Sequence, residues 1–178
     1  IVFGPEDAFF NRFAEMIRNP FLHGMLGFVP LIDGGKTRFQ PVFVGDVAEA
    51  VANALDSDSA RGKVFELGGP GVYTFRELLD YIRREIQRGA IYLSLPFFFA
   101  VPLGLLIGWL FGLTPFAPPL TGDQVTMLKR DNVVGSEPGV GTIQDLGVTS
   151  LESVEAIVPT YLWRFRPYGQ FQTKQNAA

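Results

Sequence analysis

Ile1-Val2-Phe3-Gly4-Pro5-Glu6-Asp7 is the stretch on which the fold turns. An apolar run that stops at Gly-Pro reads as the end of a buried strand entering a turn, as in sheets whose ligands bind beyond the carboxyl ends of the strands. No strand precedes it in the chain, so the expectation is the second half of a nucleotide-binding enzyme or enzyme-like subunit, without the half that carries the usual chemistry. Phe9, Phe10, Phe13, Met16 and Ile17 follow at helical spacing, with Asn11, Arg12, Glu15 and Arg18 on the other side. A glycine-rich stretch from His23 ends in the turn signal Asp33-Gly34-Gly35, and Phe39 to Val44 is a β-rich segment that breaks at Gly45 and Asp46. Asp46 and Glu49 are spaced as a capping box, for a helix whose buried face is Val47, Ala50, Val51, Ala54 and Leu55. Val64 to Leu67 is a second short strand, running into Gly68-Gly69-Pro70-Gly71. Thr74 and Glu77 then cap a helix with Phe75, Leu78, Leu79 and Ile82 inward. Strands alternating with helices predict an α/β fold.

Composition narrows the function classes. The chain has 178 residues, 47% of them hydrophobic, enough for a core of ordinary size. Fifteen basic residues against 18 acidic give a net charge of −3, which excludes a general nucleic-acid binder. There is no cysteine and a single histidine, His23, so neither a thiolate nor a histidine-rich metal site is expected. Glu6 and Asp7 interrupt the opening apolar run, so no signal peptide is expected in it.

Residues 91–122 carry no charged side chain. Ile91 to Leu113 would measure roughly 34 Å as a helix, long enough to cross a bilayer. Pro96 and Pro102 fall inside it, and the cost of proline in a helix predicts a helix starting near Pro102, too short to span. A helix dipping into a membrane surface or a partner subunit, a plain buried helix and a true span all remain open. Val125 and Leu128 mark a short helix, and Asn132 to Gly141 reads as loop. Thr149 and Glu152 are spaced as a third capping box, and the last ten residues read as a disordered tail. The expected units are 1–90, 91–122, 123–168 and 169–178.

Single motifs have plain structural readings. Gly68 to Gly71 lacks both the dinucleotide spacing and the lysine of a phosphate loop, and a turn before a capped helix explains it. Capping suffices for Asp46, His23 has no carboxylate at useful spacing, and no pair of carboxylates stands out. Tyr161 to Tyr168 is aromatic and basic, suited either to an interface or to covering the core.

Val2-Phe3-Gly4-Pro5-x-Asp7, Arg38 to Ala48, Phe65 to Pro70 and Thr74 to Leu78, in this order, resemble the C-terminal portion of a Rossmann-type extended short-chain dehydrogenase/reductase. Leu120-Thr121-x-Asp123-Gln124-Val125, Lys129 to Val134 and Pro159-x-Tyr161-Leu162-Trp163-Arg164 are similar to the branch of the NAD(P)H-binding accessory subunit of respiratory complex I and its bacterial relatives. The resemblance implies a small mixed substrate lobe, an apolar helical insertion and NAD or NADP as cofactor, its main binding half lying outside this chain. Phe3, Gly4 and Pro5 would lie near the nicotinamide end. Phe9 and Phe10 would close over it, and Arg38, Gln40, Pro41 and Asp46 would line or support the substrate cleft. No catalytic residue is carried over: in Tyr81-Ile82-Arg83-Arg84-Glu85, the one stretch close to Tyr-x-x-x-Lys, Glu85 stands where the lysine belongs. Sugar-nucleotide epimerases of the wider family often have histidine where Phe43 stands, and an arginine at the register of Phe39, one residue from Arg38.

The reading that follows is an accessory or assembly subunit of respiratory complex I type, peripheral to an inner membrane on its cytoplasmic or matrix face. It would dock on respiratory complex subunits or a membrane surface through 91–122, with neither nucleic acid nor metal as partner. The rival is the substrate-binding half of an NAD(P)-dependent epimerase, dehydratase or reductase, and a lipid-binding module is a third possibility.

Overall fold

The computed structural model describes residues 1–19, 28–111, 122–135 and 138–171. It is α/β, the class expected, with short parallel sheets. The chain opens with β1 (Val2–Phe3) and α1 (Phe10–Arg18), then β2 (Phe28–Ile32), β3 (Arg38–Phe39) and β4 (Val42–Phe43). Next come α2 (Val44–Asp56), β5 (Val64–Glu66), β6 (Tyr73–Thr74), α3 (Phe75–Glu85) and β7 (Ile91–Leu95). It continues through α4 (Phe97–Phe111), α5 (Gly122–Met127), β8 (Val140–Thr142), α6 (Val154–Ile157) and α7 (Pro159–Leu162). The pairs β1–β4, β2–β7 and β5–β8 are parallel, each joined through intervening helices, whereas β3–β6 is antiparallel.

The main core lies between α1, α3 and the α6–α7 segment. Phe3, Phe10, Leu78, Leu79, Ile82 and Leu162 have no exposed surface there. The inward face expected for α3 is fully buried, and its capping box is present: Glu77 N donates to Thr74 Oγ1 at 3.2 Å and Thr74 N to Glu77 at 2.7 Å. Tyr161, Leu162 and Phe165 are buried in this core, so the aromatic segment near the C-terminus covers it.

Several expectations are corrected. The β-rich segment from Phe39 to Val44 is two strands, because Gln40 and Pro41 leave the ladder between β3 and β4. Helix α2 starts at Val44, with Phe43 at its N-cap, so Asp46 sits inside the first turn and caps nothing. Of its expected inward face only Ala50 is fully buried, and Val51 and Leu55 are exposed, because α2 touches the body along a narrow stripe. The cap of α6 is Ser153, which accepts from Ala156 N, in place of Thr149 with Glu152. Asn132 to Gly141, read as loop, makes a parallel bridge from Asn132 to Phe39 and enters β8 at Val140.

The uncharged stretch departs most from expectation. Its first residues form β7, paired with β2 from Phe28↔Ile91 to Ile32↔Leu95. Leu95 precedes Pro96, and the proline ring holds it in the extended region. The carbonyl of Pro96 then accepts from Phe99 N and Ala100 N, both at 3.0 Å, so α4 starts at Phe97 with Pro102 inside it. Among the described residues no helix is long and apolar enough to cross a membrane. Ala100 and Val125 are fully buried beside Ile32, holding α4 and α5 to the body, while Phe98, Phe99, Leu105, Leu106 and Trp109 are exposed. With Pro102, also exposed, they fall at i, i+1, i+4, i+7, i+8 and i+11, the spacing of a single helix face. His23 and the end of the tail lie outside the described residues, as do residues 112–121.

Candidate functional site

The residues singled out by sequence separate into a structural group and a group that borders two cavities. Phe3 is wholly buried, with its ring 5.8 Å from those of Phe10 and Phe43. Gly4 is needed for close approach, since a Cβ there would fall 2.7 Å from Val44 Cγ1. The carbonyl of Pro5 accepts from Asn11 Nδ2 at 3.1 Å and from an Arg164 guanidinium nitrogen at 3.2 Å. Phe10 is wholly buried in the core and closes over no cavity. Pro41 is buried, and Asp46, only 5% exposed, accepts from Glu152 N at 2.9 Å, tying α2 to the segment before α6.

Phe9 borders an apolar cavity of about 330 Å3 with Phe13, Phe39 and Phe75, and Arg12 carries the one charged side chain among the described residues of its lining. Phe39 faces this cavity, while its strand neighbour Arg38 points away, as the period of two along a strand requires. Arg38 is exposed and grips Asp131: Nε to Oδ2 at 2.9 Å and its own backbone N–H to Oδ1 at 2.9 Å. These hydrogen bonds hold the Asp131 carboxyl below the usual carboxylate range. Gln40 borders the second cavity, about 340 Å3 and polar, with Glu66, Asp131 and Asn132. Its amide donates to Gly69 O at 2.8 Å and accepts from Val134 N at 3.2 Å. Phe9 and Gln40 thus belong to different cavities, and Arg38 reaches neither as a free cation.

Sequence reasoning missed the partly buried pair Tyr161–Asp7. Tyr161 Oη donates to Asp7 Oδ2 at 2.6 Å, and Asp7 Oδ1 accepts from Phe10 N at 2.5 Å, so one carboxylate opens α1 and anchors α7. Burial first, and the Asp7 carboxylate second, push the Tyr161 phenol far up. The residues are 154 apart in sequence, and no local pattern could have joined them. Tyr81 is likewise pushed up, by burial and then by the charge of Glu85, the reverse of what a tyrosine needs for proton transfer at neutral pH.

A dinucleotide pyrophosphate needs a helix N-terminus whose amides are free for an anion. At α1 the amides of Phe10 and Asn11 already donate to Asp7. The first turn of α2 holds Asp46, and that of α3 is closed by Thr74 and Glu77. These helix starts do not fit the pyrophosphate of NAD or NADP. Among the described residues no group of three or more His, Cys, Asp or Glu could hold a metal ion.

Known proteins give a clear match. NADH dehydrogenase (ubiquinone) 1 alpha subcomplex subunit 9, mitochondrial, of Rattus norvegicus is 38% identical over 170 residues, covering 91% of this chain and 41% of that protein. The protein of the same name from Arabidopsis thaliana is 37% identical over 136 residues, 74% of this chain and 32% of that protein. The chain is a homologue of these complex I subunits. The NADH-ubiquinone oxidoreductase 40 kDa subunit of Neurospora crassa matches at 26% over 151 residues, 83% of this chain and 35% of that protein. Together these are the branch that the motifs around Asp123, Asn132 and Trp163 resemble. The chain spans 41% or less of the length of these relatives. The crystal structure of gox2253 superposes with a TM-score of 0.55 at 22% identity, over 96% of this chain and 48% of that one, a likeness of fold. No family model matches the chain.

Proposed function

We propose that the chain acts as part of an accessory subunit of respiratory complex I, peripheral to the inner membrane, in a structural and docking role. The observation that carries this reading is the 38% identity to the rat subunit over 91% of the chain. It is supported by the exposed apolar face of α4, while Tyr81 has Glu85 where a lysine would be needed, and Arg38 and Gln40 make hydrogen bonds within the chain. The docking element in this reading is 91–122, through the exposed face of α4. NAD or NADP is the cofactor expected of the family, and the helix starts described above assign it no step in this reading.

The test is to express the tagged chain in cells of its source and separate membranes by native electrophoresis. Comigration with NADH:ubiquinone oxidoreductase activity is expected, and loss of comigration when Phe98, Phe99 and Trp109 are replaced by serine. A chain that migrates free of that activity overturns the reading. The polar cavity around Gln40 and Asn132 favours one alternative, the substrate-binding half of an NAD(P)-dependent epimerase, dehydratase or reductase. Turnover of a nucleotide sugar by a preparation containing the chain, abolished by Gln40→Ala, would select it.

A further inference from the structure

We propose that the apolar cavity bounded by α1, β2 and α5 holds the acyl chain of a membrane lipid, with the anionic head at Arg12. Its volume of about 330 Å3 lies at the lower end of the range of small-ligand sites, roughly 300–1,000 Å3. One wall is continuous aromatic surface: the ring centroids of Phe9 and Phe13 are 5.0 Å apart, those of Phe13 and Phe75 5.3 Å, and those of Phe9 and Phe39 6.1 Å. Ile32 and Leu128 also line the cavity. A sugar or a base in such a site would leave its polar atoms without partners and lose the hydrogen bonds it makes in water, whereas a hydrocarbon chain gains by leaving water. Arg12, which also makes a contact within the chain, is the cationic residue on the lining, so the head that suits it is a carboxylate or phosphate.

The position of the cavity indicates where the chain comes from. Ile32 and Leu128 border the cavity and also pack in the cluster of Ala100 and Val125 that seats α4. One layer of side chains therefore separates the cavity from the helix whose outer face is Phe98, Phe99, Leu105, Leu106 and Trp109. The bilayer as source rests on the reading of α4 as the docking face, whereas the chemistry of the cavity does not.

The test titrates the 178-residue chain calorimetrically with dodecanoate, dodecanol and acetate, with the thermal transition of every variant recorded. One dodecanoate per chain and no acetate binding are expected. Ala8→Trp, at an exposed rim position, should weaken dodecanoate at least roughly tenfold by filling the mouth. Arg12→Gln should weaken dodecanoate roughly tenfold and leave dodecanol unchanged. Vesicles containing dansyl-labelled phosphatidylglycerol separate the sources. Transfer of label to the chain, lost in Leu105→Ser/Leu106→Ser while dodecanoate binding persists, supports a bilayer lipid. Dodecanoate binding without any transfer overturns the bilayer source and leaves a free fatty acid as the occupant. No dodecanoate binding by a chain with an intact transition, or equal binding by Ala8→Trp, overturns the cavity assignment itself. Arg12→Gln without effect on dodecanoate overturns the anionic head.

Discussion

Gly69 shows how much one residue carries here. A Cβ on it would fall 1.8 Å from the Pro41 carbonyl oxygen, far inside van der Waals contact, and that oxygen is backbone and cannot rotate away. Gly69→Ala should therefore destabilise by about 3 kcal/mol, read as a lower urea midpoint with an unchanged slope. The glycine cluster at 68–71 was visible in the sequence as a turn. Its stricter requirement, the approach of Gly69 to Pro41, depends on a residue 28 positions away and was not visible. The same holds for Tyr161, whose hydroxyl meets Asp7 across the whole chain. Tyr161→Phe keeps the ring and leaves Asp7 its bonds to the start of α1, so a loss of about 1.5–3 kcal/mol, the usual worth of a hydrogen bond to a charged group, is expected from chemical unfolding.

Among the elements, α3 was the most legible, because all its signals are local. Thr74, Glu77 and the apolar positions Phe75, Leu78, Leu79 and Ile82 lie within nine residues. Thr74→Ala should cost about 1 kcal/mol at neutral pH. The hydrogen bonds from Thr74 hold the Glu77 carboxyl below its ordinary value of 4.5. A carboxyl lowered in the folded state gives stability that is present above 4.5 and lost as the pH falls below it. The penalty of Thr74→Ala, measured by urea unfolding at pH 7 and again at pH 3, should thus shrink at the lower pH; an equal penalty at both would show that the bond from Thr74 Oγ1 to the Glu77 carboxylate adds nothing. By contrast β7 was hidden, because its strand character comes from pairing with β2, some sixty residues earlier, and an apolar run of that length suits helix and strand alike. Asp46 was found but misassigned: Asp46 and Glu49 have the spacing of a cap, yet β4 passes directly into α2 and moves the helix start to Val44.

Across the whole molecule, most aromatic residues of the described body are buried or half-buried, with Phe28, Tyr168 and Phe171 exposed, whereas α4 exposes Phe98, Phe99 and Trp109 together. Phe98 is 76% exposed and Trp109 66% exposed, on a helix with no charged residue. A contiguous apolar face of this kind is what the proposed docking role requires. The composition made the uncharged stretch plain; which of its side chains face outward follows from Ala100 being the contact point against Ile32 and Val125. The most direct measurement places a photo-activated cross-linking residue at position 109 in the chain expressed in its own cells, with identification of the adducts by mass spectrometry. Adducts with subunits of NADH:ubiquinone oxidoreductase or with the lipid around it are predicted, and their disappearance when the group is moved to the buried position 100. Adducts confined to proteins outside that complex, with none to it or to lipid, would contradict the account.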